Sequence, residues 1–326
     1  IFAKKRIHMR LKKLISLALL LGFLLSCDSN DSRRPSDSTV AGDRPVIALV
    51  MKSLANEFFV NMADGAERHQ IERADYELII NGIRNESDLA QQVALVDQMI
   101  SRGVDAIVIA PADSQALVPA LARASAAGIV IINIDNRLEP EVLEEYDLSV
   151  PFIGPSNQAG AKMVGDFALK SMAAGSKVAI LEGITSAVNS IERRTGFEEA
   201  IADAGMDLVT LQSAEWDQTK AAQVMAGILS QYPDLDVILA ANDNMALGAA
   251  SAVGMARTEK EIVIAGFDNI SAIHPLIEAG TVIATVDQFG DQLAVFGIEY
   301  AMEALESGAE LDDRETLLEL ITADTL

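Results

Sequence analysis

The sequence is poor in cysteine and histidine, and each shortage excludes a class of protein. Cys27 is the only cysteine among 326 residues, so the chain cannot form an internal disulfide or a cysteine-rich metal site. Only His69 and His274 lie in the main body of the sequence, so imidazole catalysis and paired-histidine metal motifs have little support. We therefore predict no metal site and no cofactor.

Positive charge is also scarce. The chain has 25 Lys and Arg residues against 48 Asp and Glu residues, which gives a formal net charge of −23. Such an acidic protein repels the phosphates of nucleic acids and the headgroups of anionic lipids. We therefore exclude nucleic acid as a partner.

No hydrophobic run is long enough to span a membrane. The longest candidate, residues 14–25, is well short of the roughly 20 residues that a spanning helix needs. Because Lys12 and Lys13 precede it and Met9 stands just before the basic stretch, we predict an initiating Met9 and a signal peptide that ends at residue 26.

The signal-like segment ends in Leu-Leu-Ser-Cys, which resembles the lipobox of bacterial lipoproteins. This resemblance predicts that Cys27 is lipidated, so that the protein lies outside the cytoplasmic membrane and contacts it only through the lipid. Residues 27–44 are rich in Ser, Asp and Arg without an apolar period, and they are predicted to form a flexible tether.

After residue 45, short apolar runs alternate with longer amphipathic segments, which is typical of βαβ units and parallel sheets. The predicted strands are 46–51, 76–81, 105–110, 129–134, 177–181, 208–212, 236–240, 262–265 and 282–286. The predicted helices include 57–73, 87–102, 114–127, 157–174, 219–232 and 244–255, and glycine ends several of them. The alternation stops between Arg137 and Pro155, where the chain is predicted to change lobes.

The length exceeds what one hydrophobic core usually supports, so two doubly wound α/β lobes are the expected fold. Residues 45–152 are assigned to the amino lobe and residues 153–288 to the carboxyl lobe.

Polar residues follow most of the predicted strands. In open parallel sheets, ligands bind in the crevice beyond the carboxyl ends of the strands. The residues at these positions are Lys52, Ser53, Asn56, Asp135, Asn136, Arg137, Arg193, Trp216, Asn242, Asp268 and Gln288. The alternative for any single Asp or Asn is a helix cap or a turn residue.

These side chains suit a neutral ligand that carries many hydroxyl groups. Carboxylates, amides and a guanidinium supply acceptors and donors in fixed planes. Phe58, Phe59 and Trp216, the only tryptophan, can lie against the C–H faces of a sugar ring. The alternatives are a core position for Phe59 and an exposed surface position for Trp216.

Seven segments together resemble the periplasmic ribose-binding-protein type of solute receptor, whose ligand lobes are also found in lactose-repressor-like regulators. The resemblance extends over about residues 45–310 and is carried by segments 55–59, 133–137, 190–193, 214–220, 242–248, 266–268 and 284–288. It implies two lobes joined by a hinge. It also implies that roughly residues 289–312 return to the amino lobe and roughly 313–326 to the carboxyl lobe.

The resemblance further implies roles for individual residues. Hydrogen bonds to a sugar would come from Asn56, Asp135, Arg193, Asn242, Asp268 and Gln288. Phe58, Phe59 and Trp216 would enclose the sugar ring. The expected protein is a monomer that closes on a small sugar or polyol and delivers it to the permease and ATPase of an ABC importer.

The chain differs from ribose binders in the amino lobe, so the identity of the sugar stays open. Lys52 replaces a usual Ser, Glu57 a frequent Pro, and Asn136 a common Arg, a role that the adjacent Arg137 could take over. A pentose, hexose, tetrose or alditol is possible.

The sequence also bears on three other functions. An enzyme is disfavoured by the lack of nucleotide-binding and nucleophile motifs, although Asp135 and Asp268 could form an acid/base pair. A DNA-binding regulator is disfavoured because a predicted export signal stands where a helix-turn-helix would be needed. A ligand sensor for chemotaxis or a signalling kinase, with the same pocket, remains an alternative.

Overall fold

Runs of apolar residues form the strands of this protein, and most are followed by an amphipathic helix. The computed structural model describes residues 44–256 and 260–326. The predicted signal peptide, Cys27 and nearly all of the predicted tether lie outside the described residues. Arg44, the last residue assigned to the tether, is described, and it donates hydrogen bonds to the Ala74 carbonyl and to Glu77.

The first half of the described chain alternates strands and helices. Its elements are β1 (Val46–Ser53), α1 (Glu57–Arg73), β2 (Glu77–Ile83), α2 (Leu89–Arg102), β3 (Ala106–Ile109), α3 (Val118–Ala126), β4 (Val130–Ile134), α4 (Pro140–Glu145) and β5 (Phe152–Gly154).

The second half repeats the alternation. Its elements are α5 (Asn157–Leu169), β6 (Lys177–Glu182), α6 (Val188–Asp203), β7 (Asp207–Ser213), α7 (Gln218–Gln231), β8 (Val237–Ala240), α8 (Asp243–Ala256), β9 (Val263–Ala265), a 3₁₀ turn (Ser271–Ile273), α9 (His274–Glu278) and β10 (Ala284–Asp287). The carboxyl-terminal part adds α10 (Gly290–Ser307), β11 (Arg314–Glu315) and β12 (Glu319–Thr322).

Within the described ranges these strands form two six-stranded sheets. The order is β11-β5-β4-β3-β1-β2 in one sheet and β12-β10-β9-β8-β6-β7 in the other. All pairs are parallel except β10 with β12. The predicted α/β class with two parallel-sheet lobes is therefore confirmed. We call the part built on the first sheet the amino lobe and the part built on the second sheet the carboxyl lobe.

Strand β1 explains why the strands appear in the sequence as continuous apolar runs. Ile47, Leu49 and Met51 point to one face of the sheet and Ala48 and Val50 to the other, and all five are fully buried. Helices cover both faces of a parallel sheet, so both sets of side chains need apolar partners. Helix α10 packs on α1 and β4, which places this late segment in the amino lobe.

The chain passes between the lobes at three places in the described residues: 155–156, 288–289 and 316–318. The last crossing follows β11, which pairs with β5, so the returning segment reaches Glu315, a few residues beyond the expected 312. The lobe limits given above otherwise stay predictions.

Several short elements were not predicted. Helix α4 and strand β5 lie where the alternation was expected to stop, and β11 and β12 are too short to give a periodic signal. Gly103 ends α2 as predicted, with φ of 67°, a conformation that glycine adopts without strain. The helix predicted over 157–174 instead ends at Leu169, before Gly175. Among the described residues, no helix combines the length and apolar character needed to cross a bilayer.

Candidate functional site

The carboxyl ends of the strands of both sheets meet around a small cavity between the lobes. The cavity is small, because the space open to the centre of a water-sized sphere is about 20 Å³. The lining residues are Lys52, Asn56, Phe58, Phe59, Glu86, Asp135, Asn189, Arg193, Trp216, Asn242, Asp268 and Gln288. Most of the residues predicted from the sequence are therefore brought together.

Two asparagines cap helices and line the cavity at the same time. Asn56 Oδ1 accepts from the Phe58 amide at 3.1 Å at the start of α1, and Asn242 Oδ1 accepts from the Met245 amide at 2.9 Å in α8. Helix capping, weighed above as an alternative to ligand binding, is thus correct for both. Because each cap uses the amide oxygen, the Nδ2 group is left to other partners: Glu86 at 3.1 Å and the Trp216 carbonyl at 3.4 Å.

Aromatic rings form the apolar part of the wall. Phe58 and Phe59 meet edge to face with ring centroids 5.1 Å apart, and both are buried. Trp216 lines the cavity from the carboxyl lobe and is 5% exposed. Phe59 is a member of the core as well as of the cavity wall, and Trp216 is not a surface residue.

Each of the two cations in the cavity wall is paired with a carboxylate. In the amino lobe, Lys52 Nζ lies 2.9 Å from Asp135 Oδ2, and both side chains are almost fully buried. In the carboxyl lobe, Arg193 Nη1 lies 3.3 Å from Asp268 Oδ1. Because each buried cation has its own carboxylate, the arrangement favours a ligand without net charge.

Arg193 is held in place by a set of bonds that only a guanidinium can make. Its Nε donates to Asn157 Oδ1 at 2.8 Å, and its Nη1 donates to the Ala241 carbonyl at 2.8 Å. The guanidinium carbon lies 3.7 Å from the centroid of the Phe267 ring. Gln288 Nε2 in turn donates to Asp268 Oδ1 at 2.7 Å, so these polar groups form one rigid network.

Burial disfavours the ionised forms of two carboxyl groups in the cavity wall. It raises the pKa of Glu86 to about 7, although Lys52 lowers it. Burial likewise raises the pKa of Asp268 to about 7, against the opposing effect of Arg193. Near neutral pH, both groups are therefore close to the point at which they exchange a proton.

Apart from Asp135 Oδ2, which pairs with Lys52, three polar atoms of the cavity wall are buried without a hydrogen-bond partner among the described residues: Asn189 Oδ1, Trp216 Nε1 and Gln288 Oε1. A buried polar group without a partner costs about 1–3 kcal/mol. Two of these atoms accept hydrogen bonds and one donates. A ligand whose groups can both donate and accept, as hydroxyls do, would satisfy all three.

Two cavity residues were missed by the sequence analysis. Glu86 lies three residues beyond the end of β2, so the rule used for the other strands would have identified it. Asn189 is the second residue of α6, several residues after β6, and no motif marks it.

Three predicted residues do not line the cavity. Ser53 is a structural residue, because its hydroxyl donates to the Arg84 carbonyl and accepts from the Ala55 amide. Arg137 turns away from the cavity, because its guanidinium pairs with Asp313 at 2.7 Å and stacks over Phe152.

The third of these residues, Asn136, is buried between the lobes instead. Its Nδ2 donates to the Pro111 carbonyl at 3.0 Å, and its Oδ1 accepts from the Asn189 amide at 3.1 Å. This second bond joins the amino lobe to the carboxyl lobe.

Further hydrogen bonds hold the lobes together outside the cavity. Asp113 accepts from the Ser186 hydroxyl at 2.7 Å, and the Ser114 hydroxyl accepts from the Val188 amide at 3.0 Å. At a separate place, the Glu57 carboxylate accepts from the Ser271 hydroxyl and from the Ser271 amide at 2.9 Å. The structure thus represents a closed conformation.

Known proteins share this architecture. Residues 47–310 match the family described as periplasmic binding protein domain. The D-ribose/D-allose-binding protein of Pseudomonas aeruginosa is 45% identical over 318 residues, which cover 96% of this chain and all of that protein.

Two crystal structures of ABC transporter solute-binding proteins are similar. One is from Burkholderia multivorans and contains an unknown ligand interpreted as α-D-erythrofuranose. It is 46% identical with a TM-score of 0.84, and the match covers 86% of this chain and 100% of that one. The one from Actinobacillus succinogenes, with bound D-allose, is 33% identical with a TM-score of 0.80 and covers 86% of this chain and 98% of that one.

The match covers most of the chain, the identity to the relatives is high, and the cavity lies between two lobes of the expected topology. The resemblance seen in the sequence is therefore confirmed, and the chain belongs to the periplasmic binding protein family of ABC-transporter solute receptors.

Proposed function

We propose that this protein binds a monosaccharide or a related polyol between its lobes, outside the cytoplasmic membrane, and delivers it to an ABC importer. The observation that carries the proposal is the cavity itself, whose paired charges and unpartnered buried donor and acceptors call for a small, neutral, hydroxylated ligand. The relatives named for D-ribose and D-allose support the same class of ligand.

The mechanism is hinge closure without a covalent step. Asn56, Phe58 and Asp135 belong to the amino lobe, and Arg193 and Asp268 belong to the carboxyl lobe. A sugar that bonds to both sets gains contacts in the closed state alone, so it shifts the population toward closure. The closed surface then docks on the permease. The chain itself catalyses no reaction, in keeping with a family of transport receptors.

A binding screen tests this proposal. Purified protein is titrated calorimetrically with D-allose, D-ribose, D-erythrose and myo-inositol, and the thermal unfolding midpoint is measured with each sugar. We expect at least one sugar to bind tightly and to raise the midpoint. If all of them fail while an amino acid or a peptide binds, the ligand class is wrong.

Anchoring by a lipid on Cys27 and a monomeric state are further parts of the proposal. The motif around Cys27 supports the first. Expression of the precursor in bacteria with an alkyne fatty acid should label the wild-type protein but not Cys27→Ala. Labelling of both proteins, or of neither, would contradict the anchor, and an assembly larger than one chain by light scattering would contradict the monomer.

A further inference from the structure

Gly183 packs against the side chain of Trp216, the tryptophan that lines the cavity. It follows β6 directly, and it does not line the cavity. A methyl group built on Gly183 would lie 2.1 Å from the indole atoms Cε2 and Cζ2 of Trp216 and 2.4 Å from Cδ2. Because all three atoms are this close, the indole ring packs with its face against the Gly183 backbone.

Trp216 also lines the cavity, and because the Gly183 backbone covers one face of the ring, we place the cavity at the other face. Two cations of the cavity wall are over the indole: Lys52 Nζ at 5.9 Å and the Arg193 guanidinium carbon at 5.6 Å from its centroid. The indole therefore lies between the Gly183 backbone and the space for the ligand. How far the ring extends into that space depends on how closely it can approach the backbone of residue 183.

The backbone around Trp216 is held in place by its conformation and by hydrogen bonds. Glu215 and Trp216 have φ of 51° and 66°, a left-handed conformation that holds only where the surroundings fix it. The Ser213 hydroxyl donates to the Gly183 carbonyl at 2.5 Å and accepts from the Glu215 amide at 3.3 Å. The Trp216 carbonyl accepts from Asn242 at 3.4 Å.

We infer that Gly183 is a positioning residue that sets the size of sugar ring the cavity accepts, by allowing the Trp216 indole to lie against its backbone. This inference rests on the proposed sugar-binding function. Carbon atoms in contact are about 3.5–4.0 Å apart, so a methyl group at residue 183 would displace the indole by more than about 1 Å, and the cavity is the side left open to it. Gly183 does not have a positive φ, so alanine meets no backbone strain there.

The test compares Gly183→Ala with Gly227→Ala, a matched control in α7 where an added methyl group meets nothing within 4 Å. Calorimetry gives the Kd of each variant for D-allose and for the smaller D-erythrose. We expect Gly183→Ala to reduce the preference for D-allose over D-erythrose by about tenfold or more, the scale at which one methyl group discriminates in a tight pocket. Gly227→Ala should keep the wild-type preference.

A double variant assigns the effect to the indole. In a Trp216→Leu background, Gly183→Ala should change the preference less than about twofold, because the two substitutions act through the same contact. If Gly183→Ala alone does not fold, the double variant should recover the unfolding midpoint of Trp216→Leu.

Three results would decide against the inference. The first is a Gly183→Ala variant with the wild-type preference for D-allose over D-erythrose. The second is a change in that preference that is as large in the Trp216→Leu background as in the wild-type background. The third is a double variant that is no more stable than a misfolded Gly183→Ala. If the wild-type protein bound neither sugar nor any other in the screen, the proposed function would fail first. That outcome is distinct from a wild-type protein that binds sugars and whose selectivity ignores residue 183.

Discussion

Glu57 should strengthen ligand binding without touching the ligand. It begins α1 in the amino lobe, and its carboxylate accepts hydrogen bonds from the Ser271 hydroxyl, the Ser271 amide at 2.9 Å and the Ala272 amide at 3.4 Å in the carboxyl lobe. Glu57 does not line the cavity. These bonds join the two lobes, so they break when the lobes separate, and they stabilise the closed state alone.

The size of the effect follows from this geometry. Hydrogen bonds to a charged group contribute roughly 1.5–3 kcal/mol when buried. Glu57 is partly exposed, so water screens the interaction and about 1 kcal/mol is a fairer figure. The substitution Glu57→Gln keeps the shape of the side chain and one acceptor but removes the charge. A loss of about 1 kcal/mol from the closed state weakens ligand binding about fivefold.

The assay uses the fluorescence of Trp216, the only tryptophan in the sequence, which lies in the cavity wall. Stopped-flow mixing with the sugar that binds best gives the association and dissociation rates. A contact made after closure should appear mainly as faster dissociation. Glu67→Gln is the matched control, because Glu67 is exposed on the same helix and the substitution removes the same charge.

Two results would refute this reasoning. One is a Kd for Glu57→Gln equal to that of the wild-type protein. The other is the same weakening in Glu67→Gln, which would point to the net charge of the helix and not to the contact with Ser271. The unfolding midpoint without sugar should also be compared, so that a change in folding is not mistaken for a change in closure.

Three further outcomes are expected from the cavity. Asp268→Ala leaves Arg193 and Gln288 without their shared acceptor, so it should abolish the rise in unfolding midpoint caused by sugar, and an unchanged rise would place the pocket elsewhere. In Arg193→Lys, the lysine cannot reach Asn157, the Ala241 carbonyl and Asp268 together, so the unfolding midpoint without sugar should fall by the equivalent of about 2 kcal/mol. An unchanged midpoint would refute the role of this network. Burial raises the pKa of Glu86 from 4.5 to about 7, so the stability that its protonated form contributes is complete below about pH 4.5 and lost as the pH rises through about 7. Urea unfolding at pH 5 and pH 8 should therefore show a smaller fall in the free energy of unfolding for Glu86→Gln than for the wild-type protein. An equal fall in both proteins would show that Glu86 is not its source.

The sequence by itself determined the fold class, the order of the main strands and most of the cavity wall. Strand β1 is apolar at every position that faces a helix layer, and such runs identify buried parallel strands because both faces need apolar partners. Asn56, Asp135, Asn242 and Asp268 follow strands of this kind, and parallel strands of one sheet end at one edge. Local pattern and one topological rule were enough for these residues.

Only the tertiary structure decided the rest, because it depends on which groups meet across long distances in the sequence. Asn136 and Arg137 follow Asp135 directly, yet Asp135, with φ of 65°, faces the cavity, Asn136 joins the lobes and Arg137 reaches Asp313. Neighbouring residues thus point in different directions, and the turn that sets those directions leaves no periodic signal in the sequence. The approach of Gly183 to Trp216 and of Glu57 to Ser271 is likewise a matter of packing between separate segments, which composition and spacing along one chain do not encode.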